Sequence, residues 1–175
     1  MSLRALFSPT RIVRHVSDIS PFELAEKYGI RAVVCDLDNT LAAWRSEDIA
    51  AEVTAWLTRL RETGIGVCIA SNTNNVRRLE RIAQRLRIHH VPGNAAKPGT
   101  SGLRRALKLL EATPREAAMV GDQLFTDIVA GNRLGMYTVL VNPLTPHEFI
   151  ATKLISRTAE RLLLRGANRR PGQAE

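Results

Sequence analysis

Two aspartates two residues apart, Asp36 and Asp38, follow the apolar run Ala32-Val33-Val34-Cys35 within the stretch Asp36-Leu37-Asp38-Asn39-Thr40. A short valine-rich run bounded by polar residues reads as a buried strand. Both carboxylates therefore arrive at a strand's carboxyl end. Residues i and i+2 of an extended segment point to the same side. Two like charges on one side repel, and a cation relieves the repulsion. The carboxyl edge of an open α/β sheet is also where ligands bind.

Three further polar signals fall at comparable places. Ser71-Asn72 ends the run Gly66–Ala70, and Lys97-Pro98-Gly99 precedes a helical pattern. Asp122 ends the run Ala117–Gly121, and Asp127 is expected to open a short helix reaching about Leu134. In a parallel sheet these strand ends share one edge. Asp36, Asp122, Asp127 and a backbone carbonyl make a set of hard oxygen donors suited to Mg²⁺. A hydroxyl, an amide and an ammonium can hold a phosphoryl group. Phosphoryl transfer asks for little beyond positioning and charge stabilisation.

The elements that must position these groups alternate. Ser20-Pro21-Phe22-Glu23 has the signature of a helix start, and Gly29 suits its stop. The strand to Cys35 is followed by a helix expected from about Ser46, with Ile49, Val53, Trp56, Leu57 and Leu60 as its apolar stripe. Trp56 is a core residue on this spacing. In the next helix Val76, Leu79, Ile82 and Leu86 face inward, and Arg77, Arg78, Arg81, Arg85 and Arg87 are expected mostly outside. A short strand is expected near His89-His90-Val91. Leu103, Ala106, Leu107 and Leu110 mark a further helix, and Tyr137–Val141 the last strand. Strands alternating with helices predict a parallel sheet covered on both faces, an α/β fold.

The expected division is an N-terminal arm with a short helix over 1–29, a core over 30–145, a basic amphipathic helix over 146–164 and a disordered tail over 165–175. The helix starts at Thr145-Pro146-His147-Glu148, and Lys153, Arg157, Arg161 and Arg165 recur every four residues along it. Such a helix lies on an anionic bilayer or packs on its own domain with its charges in water. The second arrangement is the commoner.

A chain of 175 residues suits one domain. With 25 Lys and Arg against 17 Asp and Glu, the net charge of +8 favours acidic partners. Cys35 and Cys68 lie inside apolar runs, where a small core role is expected and a reducing cytoplasm is compatible. No run approaches the roughly 20 apolar residues of a membrane span, so any membrane contact is expected to be peripheral.

Asp36-Leu-Asp-Asn-Thr40, Ser71, Lys97 and Gly121-Asp122 with Asp127 resemble the four successive motifs of the haloacid dehalogenase superfamily. The resemblance covers about residues 30–142. Asp36-Leu-Asp-Asn-Thr-Leu41, Ser71-Asn72, Lys97-Pro98 and Gly121-Asp-Gln-Leu-Phe-Thr-Asp127, followed by Gly131-Asn-Arg-Leu-Gly-Met-Tyr137, are similar to its YqeG-like branch, which includes phosphatidylglycerophosphate phosphatases. The resemblance implies a Rossmann-like three-layer sandwich and a Mg²⁺-dependent phosphatase. Asp36 would be the nucleophile and Asp38 the proton carrier. Asp36, the Asp38 carbonyl and Asp122 would hold the metal, with Asp127 orienting them. Ser71, Asn72 and Lys97 would bind the phosphoryl oxygens, and Thr40 would bind there or brace the loop.

Ser71 follows Asp36 by 35 positions and Lys97 follows Ser71 by 26. Neither interval has room for an inserted cap domain, so the site is expected to be open and to suit a phosphate on something large. The favoured substrate is phosphatidylglycerophosphate. The alternatives are a nucleic-acid end, a sugar phosphate, or a binding module without catalysis. The 5% aromatic content counts against nucleic acid.

Overall fold

The computed structural model describes residues 2–145. The helix and tail expected over 146–175 lie outside the described residues. Six strands form one sheet: β1 (Arg11–Val13), β2 (Ala32–Cys35), β3 (Gly66–Ile69), β4 (His89–His90), β5 (Ala117–Gly121) and β6 (Tyr137–Val141). Their order is β1-β6-β5-β2-β3-β4, and every pairing is parallel. The helices are α1 (Leu3–Leu6), α2 (Pro21–Tyr28), α3 (Ala51–Glu62), α4 (Val76–Leu86), α5 (Ser101–Leu109) and α6 (Val129–Leu134).

Parallel strands require crossovers, and these helices supply them on both faces. On one face Leu24, Val53, Trp56, Leu60, Leu79 and Ile82 pack over Val33, Cys35 and Val120. On the other, Leu103, Ala106 and Ala130 pack over Val34, Cys68 and Met119. Alternation along β2 and β5 sends successive side chains to opposite cores, and the two strands are buried throughout. Burying each large side chain contributes roughly 1.5–3 kcal/mol. Trp56 is fully buried, and its indole N–H donates to Ile19 O at 3.0 Å. Both cysteines are free and buried, as core residues.

Register sets the site. β2 lies between β3 and β5, with Cys35 opposite both Ile69 and Val120. The carboxyl ends of these strands are therefore nearly level, and the chain leaves them at Asp36, Ala70 and, one residue further along β5, Asp122.

Two elements differ from the sequence expectation. The first 29 residues do more than lie on a core, because β1 extends the sheet beside β6. Thr10 and Thr138 exchange backbone-to-hydroxyl hydrogen bonds at 3.1 and 3.2 Å, and the Asn132 amide donates to Leu6 O and Ser8 O. The helix after the aspartates begins at Ala51 rather than near Ser46. Ser46 makes a local turn, its hydroxyl accepting from Asp48 N at 2.9 Å. The Ser46 carbonyl accepts from the Arg78 guanidinium at 3.0 Å and so has no helical partner.

Candidate active site

The loop after β2 is wound tightly. Leu37 O accepts from the amides of Leu41 and Ala42, both at 3.0 Å, and Asn39 N donates to Ala42 O at 2.7 Å. This turn holds Asn39 at φ 61°, a left-handed value that asparagine tolerates. Leu144 N donates to Asn39 O at 3.1 Å, and the Thr145 hydroxyl donates to Asn39 Oδ1. The chain just past β6 thus pins the loop. Asp36 and Asp38 are both buried, and they part company here.

Asp36 joins Asp122 and Asp127. Ligand oxygens of the three carboxylates lie within 4.8 Å of one another. Lys97 enters from the loop after β4 and places Nζ 2.6 Å from Asp36 Oδ1 and 2.7 Å from Asp127 Oδ1. Burial alone would lower the Lys97 ammonium, but Asp127 and Asp36 outweigh it and hold the group above its ordinary range. Burial, then the neighbouring Asp127 and Asp36, push the Asp122 carboxyl up to about 8. Burial also pushes Asp127 up, against the pull of Lys97. Three carboxylates face one ammonium, and that charge deficit together with an all-oxygen donor set fits a hard divalent cation.

Asp127 reaches this cluster from inside a turn of π-helix, Leu124–Ile128, and not from the start of α6. The wider turn aims it back at the strand end, where its Oδ2 accepts from Gln123 N at 3.0 Å. The Thr40 hydroxyl donates to Asp122 Oδ1 at 3.4 Å. Thr40 therefore reaches the acidic cluster through its hydroxyl.

Asp38 faces a different partner. Its Oδ1 lies 2.9 Å from Arg78 Nη1 and accepts from Arg45 N at 3.1 Å. Arg78 was expected on the outer face of α4, yet only 4% of it is exposed. Its place four residues before Ile82, on the inward stripe, was the signal for this.

Ser71 is buried, and its hydroxyl accepts from Thr73 N at 3.2 Å. The Asn72 side chain donates to Lys97 O at 2.8 Å and accepts from Lys97 N at 2.9 Å. The amide expected to hold phosphate thus also positions the Lys97 backbone. These groups open into a cleft of about 500 Å³ bordered by Asp36, Asp38, Ser71, Lys97 and Arg78, with Trp44 and Arg45 exposed on its rim. The spacing that excluded a cap holds among the described residues: only α3 and β3 lie between Asp36 and Ser71, and only α4 and β4 between Ser71 and Lys97, joined by loops.

Such a cleft can receive an anionic ester between the Asp36 carboxylate, the Lys97 ammonium and the Asp38 carboxylate. Residues 1–145 match the model of the family described as mitochondrial PGP phosphatase. The chain belongs to the mitochondrial PGP phosphatase family. Two of the relatives it resembles are named as phosphatases. The chain is 33% identical over 168 residues to the probable phosphatase YqeG of Bacillus subtilis, covering 96% of this chain and 95% of that protein. It is 30% identical over 135 residues to phosphatidylglycerophosphate phosphatase 1, chloroplastic/mitochondrial, of Arabidopsis thaliana, covering 73% of this chain but 38% of the plant protein. Among solved structures, 3-deoxy-D-manno-octulosonate 8-phosphate phosphatase from Yersinia pestis has a TM-score of 0.51 at 20% identity, covering 74% of this chain and 72% of that one. That likeness shows the shared Rossmann-like α/β fold. As a PGP phosphatase family member of the haloacid dehalogenase type, the chain is a phosphoric monoester hydrolase.

Proposed function

We propose that this phosphatase hydrolyses its ester through an aspartyl-phosphate on Asp36, with Mg²⁺ held by Asp36, the Asp38 carbonyl, Asp122 and Asp127. The observation that carries the reading is the division between two aspartates two residues apart. Asp36 lies against Lys97 at 2.6 Å, and Asp38 against Arg78 at 2.9 Å. Asp36 attacks phosphorus. Lys97 and the Ser71 hydroxyl hold the phosphoryl oxygens as charge spreads onto them. Asp38 protonates the leaving oxygen, then takes a proton from the water that cleaves the aspartyl-phosphate. Mg²⁺, when bound, supplies charge stabilisation to the same oxygens.

The substrate we favour is phosphatidylglycerophosphate, reached from the aqueous side by peripheral contact with an anionic membrane. Support comes from the plant relative's name, the uncapped cleft, the net charge of +8 and the exposed Trp44 and Arg45 on the rim. No described helix is long and apolar enough to cross a membrane. Among the described residues Trp44 is the only aromatic one bordering the cleft, fewer than a base-stacking platform uses.

Two measurements test this. Asp36→Asn abolishes Mg²⁺-dependent phosphate release from a generic ester, and full activity in that variant would sink the covalent route. The purified protein hydrolyses phosphatidylglycerophosphate in mixed micelles far faster than sugar phosphates or 3′-phosphorylated DNA. Equal rates across that panel refute the lipid preference.

A further inference from the structure

Of the four arginines in α4, Arg77, Arg81 and Arg85 are exposed and Arg78 is buried. Burying an arginine is a poor route to stability, because desolvation cancels most of what its ion pair returns. Its contacts instead describe a clamp. Nη1 meets Asp38 Oδ1 at 2.9 Å, while Nε donates to Ser46 O at 3.0 Å. The backbone under it is fixed too, since Arg78 N donates to the α4 cap Asn75 Oδ1 at 3.0 Å. Further along the helix, Arg81 pairs with the Glu47 carboxylate and Arg85 donates to Glu47 O. One face of α4 thus grips the loop 44–48 that forms the cleft rim.

Among the described residues, both contacts to the Asp38 carboxylate, from Arg78 and from Arg45 N, converge on Oδ1. In the proposed mechanism the exchange with the leaving group therefore falls to Oδ2. We propose that Arg78 is a positioning residue for the leaving-group step: by clamping Asp38 Oδ1 and tying it to the rim loop, it presents Oδ2 to the oxygen that departs. This rests on the phosphatase reading in which Asp38 is the proton carrier. In that step an Asp36 oxygen bonds to phosphorus. The bond from phosphorus to the leaving oxygen breaks with its electron pair on that oxygen, and the proton on Asp38 Oδ2 neutralises it. Arg78 touches neither phosphorus nor the leaving group. Its effect passes through Asp38, and it matters only where the leaving group requires a proton.

The test compares kcat/KM for two esters, which reports the chemistry up to formation of the aspartyl-phosphate. 2,4-Dinitrophenyl phosphate releases a phenolate that leaves without a proton. Glycerol 3-phosphate releases an alkoxide that needs one. Arg78→Gln lowers kcat/KM for the alkyl ester by about 30-fold or more, within the span of general acid catalysis, and leaves the aryl ester within about threefold. Arg78→Lys, which keeps a cation in place, recovers part of the alkyl loss and carries the comparison if Arg78→Gln does not fold. In an Asp38→Asn background, Arg78→Gln adds no more than about threefold to the alkyl loss, because its route of action is already gone. Equal losses on both esters, or an undiminished loss in the Asp38→Asn background, overturn the proposal and leave Arg78 a structural residue. If the unmodified protein hydrolyses neither ester with Mg²⁺, the phosphatase reading itself fails, and that result is distinct from either loss pattern.

Discussion

Gly121 and Asp127 are packed so closely that a Cβ on Gly121 would lie 2.2 Å from Asp127 Oδ2 and 2.6 Å from its Cβ. Asp127 has nowhere to go, because its oxygens are held by Lys97 at 2.7 Å and Gln123 N at 3.0 Å. The glycine before Asp122 is therefore a requirement of the acidic cluster. Gly121→Ala is expected to weaken Mg²⁺ binding and lower kcat/KM by about 100-fold, the scale set by misplacing a reacting group by an ångström. Calorimetric Mg²⁺ titration beside steady-state kinetics checks this. Unchanged metal affinity contradicts it.

Replacing Lys97 by Met removes the one ammonium among three buried carboxylates. The metal-free protein should lose about 3–5 kcal/mol, the usual cost of stripping a buried charge of its partner. Saturating Mg²⁺ should restore part of that loss, since it supplies positive charge to the same oxygens. Activity should stay down by about 10²–10³-fold, because a phosphoryl-oxygen donor is missing. Denaturant melts with and without Mg²⁺ separate the two effects.

Asp122 makes the metal-free fold pH-sensitive. A carboxyl raised from 3.8 to about 8 keeps, in the folded state, a proton that the unfolded chain has already lost. Stability therefore falls as pH rises between these values. Mg²⁺ must displace the same proton, so its apparent affinity should rise roughly tenfold per pH unit up to about 8. Melting temperatures in EDTA and in Mg²⁺ at pH 5, 7 and 8.5 should diverge with pH. Asp122→Asn should flatten the metal-free series, and a divergence that survives this substitution would point to another group.

Thr40→Val keeps the shape of the loop and deletes the hydroxyl that reaches Asp122 at 3.4 Å. A neutral hydrogen bond of this length is worth about 1 kcal/mol. The variant should lose a few-fold in Mg²⁺ affinity and keep its KM for substrate. A rise in KM at saturating Mg²⁺ would instead return Thr40 to the phosphate.

Trp44 and Arg45 bear on the lipid reading. The double substitution Trp44→Ala, Arg45→Ala should slow hydrolysis in mixed micelles at least about tenfold, the scale of losing one interfacial aromatic and one cation near an anionic surface. Hydrolysis of a water-soluble ester should change much less. Equal slowing of both places these residues in the chemistry of every substrate.

The sequence carried the parallel α/β architecture because Ala32–Cys35 and Ala117–Gly121 are continuous apolar runs, the pattern of strands buried on both faces. It carried Asp36, Lys97, Asp122 and Asp127 because strand ends of a parallel sheet meet at one edge. What it hid depends on tertiary contacts. Arg78 sits among exposed arginines, and only its place four residues before Ile82 marks it as the one that turns inward, without showing that Asp38 is its partner. Asn72 has a phosphate-binding side chain by chemistry, and its pairing with the Lys97 backbone is a tertiary contact that spacing does not show. Ser46-Glu47-Asp48 has the composition of a helix start, but the Arg78 guanidinium takes the carbonyl that the helix needs. Asp127 looks like an opening helical residue because a π-turn leaves no mark on apolar spacing.

The bonds from Leu144 and Thr145 to Asn39 give the far end of the described chain a bearing on catalysis. Asn39 immediately follows Asp38, the proposed proton carrier, so a cut made upstream of Leu144 would delete two tethers of that turn while leaving every motif in the sequence intact. A shortened protein of this kind could keep its fold, its metal ligands and its nucleophile and still be slow. Residue 145 is the minimum length for any trimmed version whose kinetics are to stand for those of the whole chain.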